Sequence, residues 1–65
     1  MTKLEKIYEE LKKENKIVAT MELGRTMRSE KAEEGGWEYT FFFDHDQLKK
    51  VEAYNGRELI EQYNK

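Results

Sequence analysis

The chain has 65 residues, of which 40% are charged and 37% are hydrophobic, and it contains neither cysteine nor proline. This length supports one small domain, residues 1–65, and the lack of cysteine excludes disulfides and thiolate metal sites. The 12 basic and 14 acidic residues are interleaved and give a net charge of -2, which creates neither a polybasic field for nucleic acid nor the dense acidity of a nucleic-acid mimic.

Aromatic residues make up 12% of the chain and favour a folded domain with a small aromatic core. In so short a domain, apolar burial only about balances the conformational entropy lost on folding. We therefore expect a homodimer or a complex with a protein partner. Charges alternate from the first residues onward, and no apolar segment has the length of a signal peptide or a membrane span. The sequence predicts a cytoplasmic protein without membrane contacts.

Residues 3 to 14 are predicted to form an amphipathic helix. Four apolar side chains repeat at the i, i+3, i+4, i+7 spacing of one helix face: Leu4, Ile7, Tyr8 and Leu11. Thr2 is in position to cap the helix, and Glu5 completes a capping box in which each side chain accepts a hydrogen bond from the other residue's backbone N–H. Asn15 tolerates the positive φ that commonly ends a helix.

Residues 16 to 23 change to a period of two, which is typical of a strand. One face of this strand is predicted to carry Ile17, Ala19, Met21 and Leu23. Gly24 ends the strand or marks a bulge. The polar segment from 25 to 34 could extend the first strand, form a short helix or be a loop. The pair Gly35-Gly36 then predicts a turn. The first strand and the strand after this turn are expected to form an antiparallel hairpin, with the polar segment as its long tip.

The aromatic segment from Trp37 to Phe43 is predicted to be the central strand. Because side chains alternate along a strand, one face receives Trp37, Tyr39, Phe41 and Phe43. The opposite face receives Phe42 together with Glu38 and Thr40. A strand with one wet face would alternate aromatic and polar residues throughout. This strand carries an aromatic on both faces, so either a helix or another molecule is expected to cover the second face.

The C-terminal third contains competing signals. Residues 44 to 47 are turn-like, and residues 48 to 54 mix strand formers with helix formers. Asn55-Gly56 is a strong hairpin signal that would pair Val51 with Ile60. The same Asn55 can instead cap a helix, and the residues that follow are rich in helix formers.

The preferred interpretation is an α+β fold with an N-terminal helix, a three-stranded antiparallel meander and a C-terminal helix. Both helices would lie on one face of the sheet. Two alternatives stay open for the C-terminal third: an Asn-Gly hairpin, or a helix that starts at residue 47.

The sequence predicts no catalytic, cofactor-binding or metal-binding residues, and hence no enzyme. Asp44-His45-Asp46 is the only cluster of metal-ligating side chains, but three adjacent residues rarely converge on one ion, and a solvated turn is favoured. The single serine, Ser29, lies in a charged segment, and there is no cysteine nucleophile. The glycines fit no nucleotide-binding loop.

Two surfaces are candidate binding sites. Phe42, Val18 and Thr40 are expected on the uncovered sheet face, where contiguous apolar groups mark an interface. The segment after Gly24 carries a candidate polar contact loop, formed by Arg25, Arg28 and Lys31. These side chains could contact phosphates, although the glutamates that follow cancel much of their field.

The functional hypothesis is a small protein–protein interaction module, a regulator or inhibitor that acts by steric docking through the uncovered sheet face or an edge strand. Chains of this kind are common among phage and mobile-element accessory proteins, so a viral origin is among the expectations. The alternative is a small nucleic-acid-binding domain that uses the sheet and the loop containing Arg25 and Arg28. The salt dependence of binding would distinguish the two hypotheses, because electrostatic binding weakens steeply with ionic strength.

Overall fold

The computed structural model describes residues 1–65 and consists of one helix followed by five strands. The five strands form a single antiparallel sheet in the order β1-β2-β3-β4-β5, so each strand pairs with its neighbours in sequence. The helix packs on one face of this sheet. The elements are α1 (Lys3–Lys13), β1 (Ile17–Glu22), β2 (Met27–Glu34), β3 (Trp37–Asp44), β4 (Gln47–Tyr54) and β5 (Leu59–Tyr63).

The N-terminal helix agrees with the sequence prediction. The Thr2 N–H donates to Glu5 Oε1 at 2.8 Å, and the Glu5 N–H donates to Thr2 Oγ1 at 3.2 Å, which completes the capping box. The bond from Thr2 also lowers the pKa of Glu5. The chain leaves the helix through Asn15, whose φ is 59°. Helix formation is therefore encoded locally, by the cap and the apolar stripe.

The hydrophobic core lies between α1 and the middle strands. Its buried apolar residues are Leu4, Tyr8, Leu11, Ala32, Phe41, Phe43, Leu48 and Val51. Phe41 is 0% exposed. The Tyr8 ring meets Phe41 edge-on with a centroid distance of 5.2 Å and meets Phe43 at 4.9 Å. A single helix therefore covers the aromatic face of the central strand.

The predicted alternation along the aromatic strand is confirmed. In β3, Phe41 and Phe43 are buried, while Trp37 and Tyr39 are half-buried on the same face. Phe42 lies on the opposite face, which no helix covers, and it is half-buried there. We call the face that packs against α1 the helix face and the other the open face.

The predicted C-terminal helix is wrong, because residues Leu59–Tyr63 form β5 and pair with β4. The hairpin alternative at Asn55 was the better interpretation, although Val51 pairs with Gln62 and not with Ile60. The register differs by two residues because the loop has four residues instead of two. Asn55 Oδ1 accepts hydrogen bonds from the backbone N–H groups of Arg57 and Glu58, in the manner of a helix cap. Backbone pairing with the available edge of β4 overrides the helix propensity of this segment.

The predicted three-stranded meander is also wrong, because the sheet has five strands and the molecule is mostly β. The polar segment after Gly24 forms β2, joined to β1 by residues 23–26. The helix-face positions of β2 are Arg28, Glu30, Ala32 and Glu34. Only one of these four is apolar, so the segment lacks the alternation that identifies a strand from sequence.

A bulge in β1 changes which of its side chains share a face. Ile17 pairs with Ala32 on the helix face, whereas Ala19 pairs with Lys31 on the open face. Val18 has no cross-strand partner. The prediction that the odd-numbered residues of this strand share one face is therefore wrong, because the bulge moves Ala19 and Met21 to the face opposite Ile17.

Two of the tight turns were predicted correctly. His45 and Asp46 have φ values of 51° and 61°, and the two glycines between β2 and β3 have 57° and 83°. Two consecutive positive φ values match the type I′ turn that suits the twist of a two-residue hairpin. These turns set the register of β2 with β3 and the first two pairs of β3 with β4, after which a bulge at Lys49 shifts the register by one residue and places Lys50 opposite Phe42.

Candidate functional site

One row of side chains crosses the open face over all five strands. The register pairs Met21 with Ser29 and Ser29 with Phe42. It continues by pairing Phe42 with Lys50 and Lys50 with Tyr63. We call this row the open-face strip: Met21, Ser29, Phe42, Lys50 and Tyr63.

The strip is continuous in its centre and exposed at its ends. The Lys50 Nζ lies 5.0 Å from the centroid of the Phe42 ring and 5.8 Å from that of Tyr63. Ser29 is buried between its two larger neighbours. Met21 and Tyr63 are 61% and 64% exposed. The lysine therefore partly covers the central ring, and both ends of the strip are available for contact.

Lys50 is held in place by two carboxylates. Its Nζ lies 3.1 Å from Glu52 Oε2 and 3.8 Å from Glu61 Oε1. The hydrogen bond to Glu52 is the main reason why the pKa of Lys50 is raised, so the ammonium form is favoured. Two carboxylates thus share one ammonium group, which leaves this part of the open face with an unbalanced negative charge.

The three residues predicted to form an interface are not all together. Phe42 and Thr40 occupy alternate positions of β3 on the open face, and both are half-buried. Val18 is 58% exposed and lies apart from them, in the bulge of edge strand β1. Sequence reasoning missed Met21 and Tyr63, which complete the strip, because their strand registers were not apparent.

The predicted polar contact loop does not exist as a unit. Arg25 lies in the connection between β1 and β2, but Arg28 and Lys31 belong to β2 itself. Arg28 is on the helix face, opposite Phe43, whereas Lys31 is on the open face. Arg25 and Arg28 line one cavity together with Asp46, whereas Lys31 lies on the opposite face, so the three cationic groups do not form one anion-binding surface.

Arg28 takes part in a polar network between α1 and β2. The Tyr8 hydroxyl donates to Glu30 Oε1 at 2.8 Å, and Arg28 Nε donates to Glu30 Oε2 at 3.0 Å. The guanidinium also donates to Asp46 and lies 4.2 Å from the centroid of the Phe43 ring. The sequence signal for this network was the hydroxyl of Tyr8 on a buried stripe, because a buried phenol requires a hydrogen-bond partner.

The network perturbs two ionisable groups. Burial raises the pKa of Tyr8 to about 12, and its hydrogen bond to Glu30 adds to the shift. The hydrogen bond to Glu30 also raises the pKa of Arg28. The Glu30 carboxylate is thus the main cause of the shift at Arg28 and the second cause, after burial, of the shift at Tyr8. Both pKa values are shifted upward, away from neutral pH, so neither Tyr8 nor Arg28 is suited to proton transfer there.

Tyr8 makes stability sensitive to alkaline pH. The phenol ionises near its ordinary pKa of 10.0 in the unfolded chain and near 12 in the folded protein. Its contribution is therefore complete below pH 10 and is lost as the pH rises towards 12. We expect a loss on the order of 2 kcal/mol in the free energy of unfolding. Urea unfolding across this range should show a flatter profile for Tyr8→Phe, and parallel profiles would contradict the assignment.

The cluster Asp44-His45-Asp46 forms the turn between β3 and β4. His45 Nδ1 lies 3.0 Å from Asp44 Oδ1, whereas the Asp46 carboxylate bonds to Arg28. The carboxylates thus have different partners and do not converge on a common point with the imidazole.

Comparisons with known proteins found no similarity that identifies this chain: no family model, no curated protein and no solved structure matches it. The one helix, α1, is neither long enough nor apolar enough to cross a membrane. The open face and the two edges of the sheet are covered by no other element of the chain, and they are the candidate functional surfaces.

Proposed function

We propose that this protein is a cytoplasmic protein–protein interaction module, a regulator or inhibitor that acts by steric docking through the open face of its sheet. The supporting observation is the open-face strip, in which Phe42 lies between Ser29 and Lys50, and the exposed Met21 and Tyr63 form the two ends. Aromatic residues and methionine are enriched at protein interfaces, and the strip carries two aromatic residues and one methionine on a face that no helix covers.

The charge of the open face favours a protein partner over nucleic acid. The rows beside the strip carry Glu33, Glu38, Glu52 and Glu61 at open-face register positions, with Lys31 among them. A face in which carboxylates outnumber ammonium groups repels phosphates.

The nucleic-acid alternative also depends on the arginines near the first hairpin. Arg28, however, is already engaged by Glu30 and Asp46. Only Arg25 of that pair is free to contact a phosphate. This leaves the alternative with little support, and docking of a protein accounts better for the surface.

The test is the loss of partner binding by Phe42→Ser. Affinity capture from source cells with the parent chain, followed by mass spectrometry, identifies the partner, and titration gives the dissociation constant. Removing an aromatic anchor should weaken binding by about 2 kcal/mol, or about 30-fold, while the circular dichroism spectrum stays unchanged.

Ile60→Ser is the matched control, because Ile60 is 42% exposed but pairs with Ala53 on the helix face, opposite the strip. It should bind as tightly as the parent. Parental affinity in Phe42→Ser would contradict docking through the open face. A complex that dissociates steeply with added salt and contains nucleic acid would support the alternative.

A further inference from the structure

The edge strand β5 lacks three features that commonly protect a sheet edge, namely a bulge, a lysine and a proline. It pairs with β4 through consecutive positions without a bulge, whereas the opposite edge strand, β1, is bulged. All of its residues are exposed, and its sequence Leu-Ile-Glu-Gln-Tyr contains no lysine and no proline. Bulges, lysines and prolines are the common means by which proteins prevent an edge from pairing with another strand. This edge is therefore open to an additional strand.

Hydrogen bonds fix β5 at both ends. Before the strand, the Asn55 N–H donates to the Glu58 carbonyl at 3.2 Å. After it, the Asn64 N–H donates to the Lys49 carbonyl at 2.8 Å, and Asn64 Nδ2 donates to the Leu48 carbonyl at 2.8 Å. The edge is therefore preformed, which lowers the ordering cost for a strand that adds to it.

The two backbone bonds at the ends of β5 show which of its backbone groups are unpaired. The Glu58 carbonyl and the Asn64 N–H both point to the β4 side. In an antiparallel ladder the N–H and C=O groups of successive residues point alternately towards and away from the neighbouring strand. The groups of Leu59, Glu61 and Tyr63 consequently point away from β4 and are unpaired in the monomer.

The side chains of these same three residues lie on the open face and form an apolar–acidic–apolar pattern. Glu61 shares the Lys50 ammonium with Glu52, at distances of 3.8 and 3.1 Å respectively. The two carboxylates carry two negative charges, and Lys50 supplies only one positive charge. A basic side chain directly opposite Glu61 on an added strand would supply the second, and apolar side chains at the flanking alternate positions would contact Leu59 and Tyr63.

We propose that β5 is a strand-addition site for an extended antiparallel segment of a partner protein, with a lysine or arginine between two apolar residues at alternate positions. This inference rests on the proposed function and specifies the chemistry of the partner. The added strand would lie beside Tyr63, and so would widen the surface that begins at the open-face strip.

A second copy of this chain is a poorer occupant. The antiparallel two-fold register that pairs all five residues of β5 with their counterparts places Glu61 opposite Glu61 of the other copy. Like charges directly opposite each other destabilise a strand pair. Shifting the register relieves this repulsion only by leaving part of the short strand unpaired.

The test uses a pair of synthetic peptides of about seven residues, a usual strand length, and the full chain. One peptide has a central lysine, valine at the second position on either side and threonine between; the other has a central glutamate instead. Binding is followed by NMR titration and by amide hydrogen exchange. We expect the lysine peptide to bind, to slow exchange at the N–H groups of Leu59, Glu61 and Tyr63, and to leave the β1 amides unchanged.

The charge variant Glu61→Lys provides the specificity control. It should bind the glutamate peptide better than the lysine peptide, with each preference amounting to roughly two- to fivefold in dissociation constant. Binding without exchange protection at the three N–H groups, protection at β1, or equal affinity for the two peptides would overturn the proposal. Protection that appears without peptide and grows with protein concentration would instead identify a second copy as the occupant.

Phe42→Ser distinguishes this proposal from the broader one. Phe42 does not contribute to the β5 edge, so Phe42→Ser should bind the lysine peptide as the parent does. If it keeps peptide binding but also keeps parental affinity for the captured partner, docking through the strip fails and strand addition stands. If it loses partner binding while neither peptide binds the parent, strand addition fails and docking through the strip stands.

Discussion

Phe41→Ala is expected to lower the free energy of unfolding by about 3–5 kcal/mol, a large part of the stability of a domain this small. Phe41 is completely buried and lies under the Tyr8 ring at a centroid distance of 5.2 Å. Its truncation leaves a cavity where α1 meets the central strand, and the rigid sheet cannot collapse to fill it. Urea unfolding followed by far-ultraviolet circular dichroism measures the loss.

Phe42→Ala is the matched control, because it removes the same ring from the adjacent residue on the other face. Phe42 is only half-buried, so we expect a loss of about 1 kcal/mol. Trp37→Ala should fall between the two, since Trp37 shares the helix face with Phe41 but is half-buried. Similar losses for Phe41→Ala and Phe42→Ala would show that both faces are covered in the native protein and would contradict the open face.

Glu30→Ala is expected to cost about 2–4 kcal/mol, because it leaves the buried Tyr8 hydroxyl without an acceptor and removes the main partner of Arg28. The carboxylate connects the helix to the sheet through its bond to Tyr8 at 2.8 Å. Loss of the Glu30 carboxylate should also remove this hydrogen-bonded link between α1 and β2. Urea unfolding gives the loss, and the Tyr8 environment can be followed by near-ultraviolet circular dichroism.

Two controls separate the hydrogen bond from the charge. Glu30→Gln keeps an oxygen that can accept from Tyr8 and should cost only about 1 kcal/mol. Asp46→Ala removes the second carboxylate that bonds to Arg28. The Asp46 side chain is 88% exposed, so this substitution should cost less than about 1 kcal/mol. Parental stability in Glu30→Ala would show that the network does not hold the helix on the sheet.

These expectations divide the molecule into two faces with different roles. The helix face contains the core and the network around Glu30, so substitutions there should reduce stability. The open face contains the strip and adjoins the free edge of β5, so substitutions there should reduce binding with little effect on folding. Phe41 and Phe42, neighbours in sequence, are the most direct test of this division.

The parts of the fold that have local signals can be predicted from the sequence. The cap formed by Thr2 and Glu5, together with an apolar stripe at helical spacing, specifies α1 without reference to the rest of the chain. The alternation around Phe41 specifies the two faces of β3. The turn residues between β2 and β3, and between β3 and β4, tolerate positive φ and specify the two tight turns, although the register of β3 with β4 also depends on the bulge at Lys49.

Met27–Glu34 and Leu59–Tyr63 are strands because of the segments with which they pair, and their own sequences do not predict it. The helix-face positions of β2 include Glu30, which is satisfied there by Tyr8 and Arg28, so a charged residue occupies a place where the pattern requires an apolar one. In β5, the residues after Gly56 favour a helix locally, but the free edge of β4 offers backbone hydrogen bonds that a short isolated helix cannot match.

The candidate site depends on both kinds of information. The parity of Phe42 on its strand follows from the sequence, and it pointed to an uncovered face. The neighbours of Phe42 across the sheet do not follow from it, because a bulge in β1 brings Met21 to that face and the four-residue loop before β5 brings Tyr63 opposite Lys50. Strand registers are set by bulges and loop lengths, which depend on pairing between distant segments and leave no periodic signal in the chain.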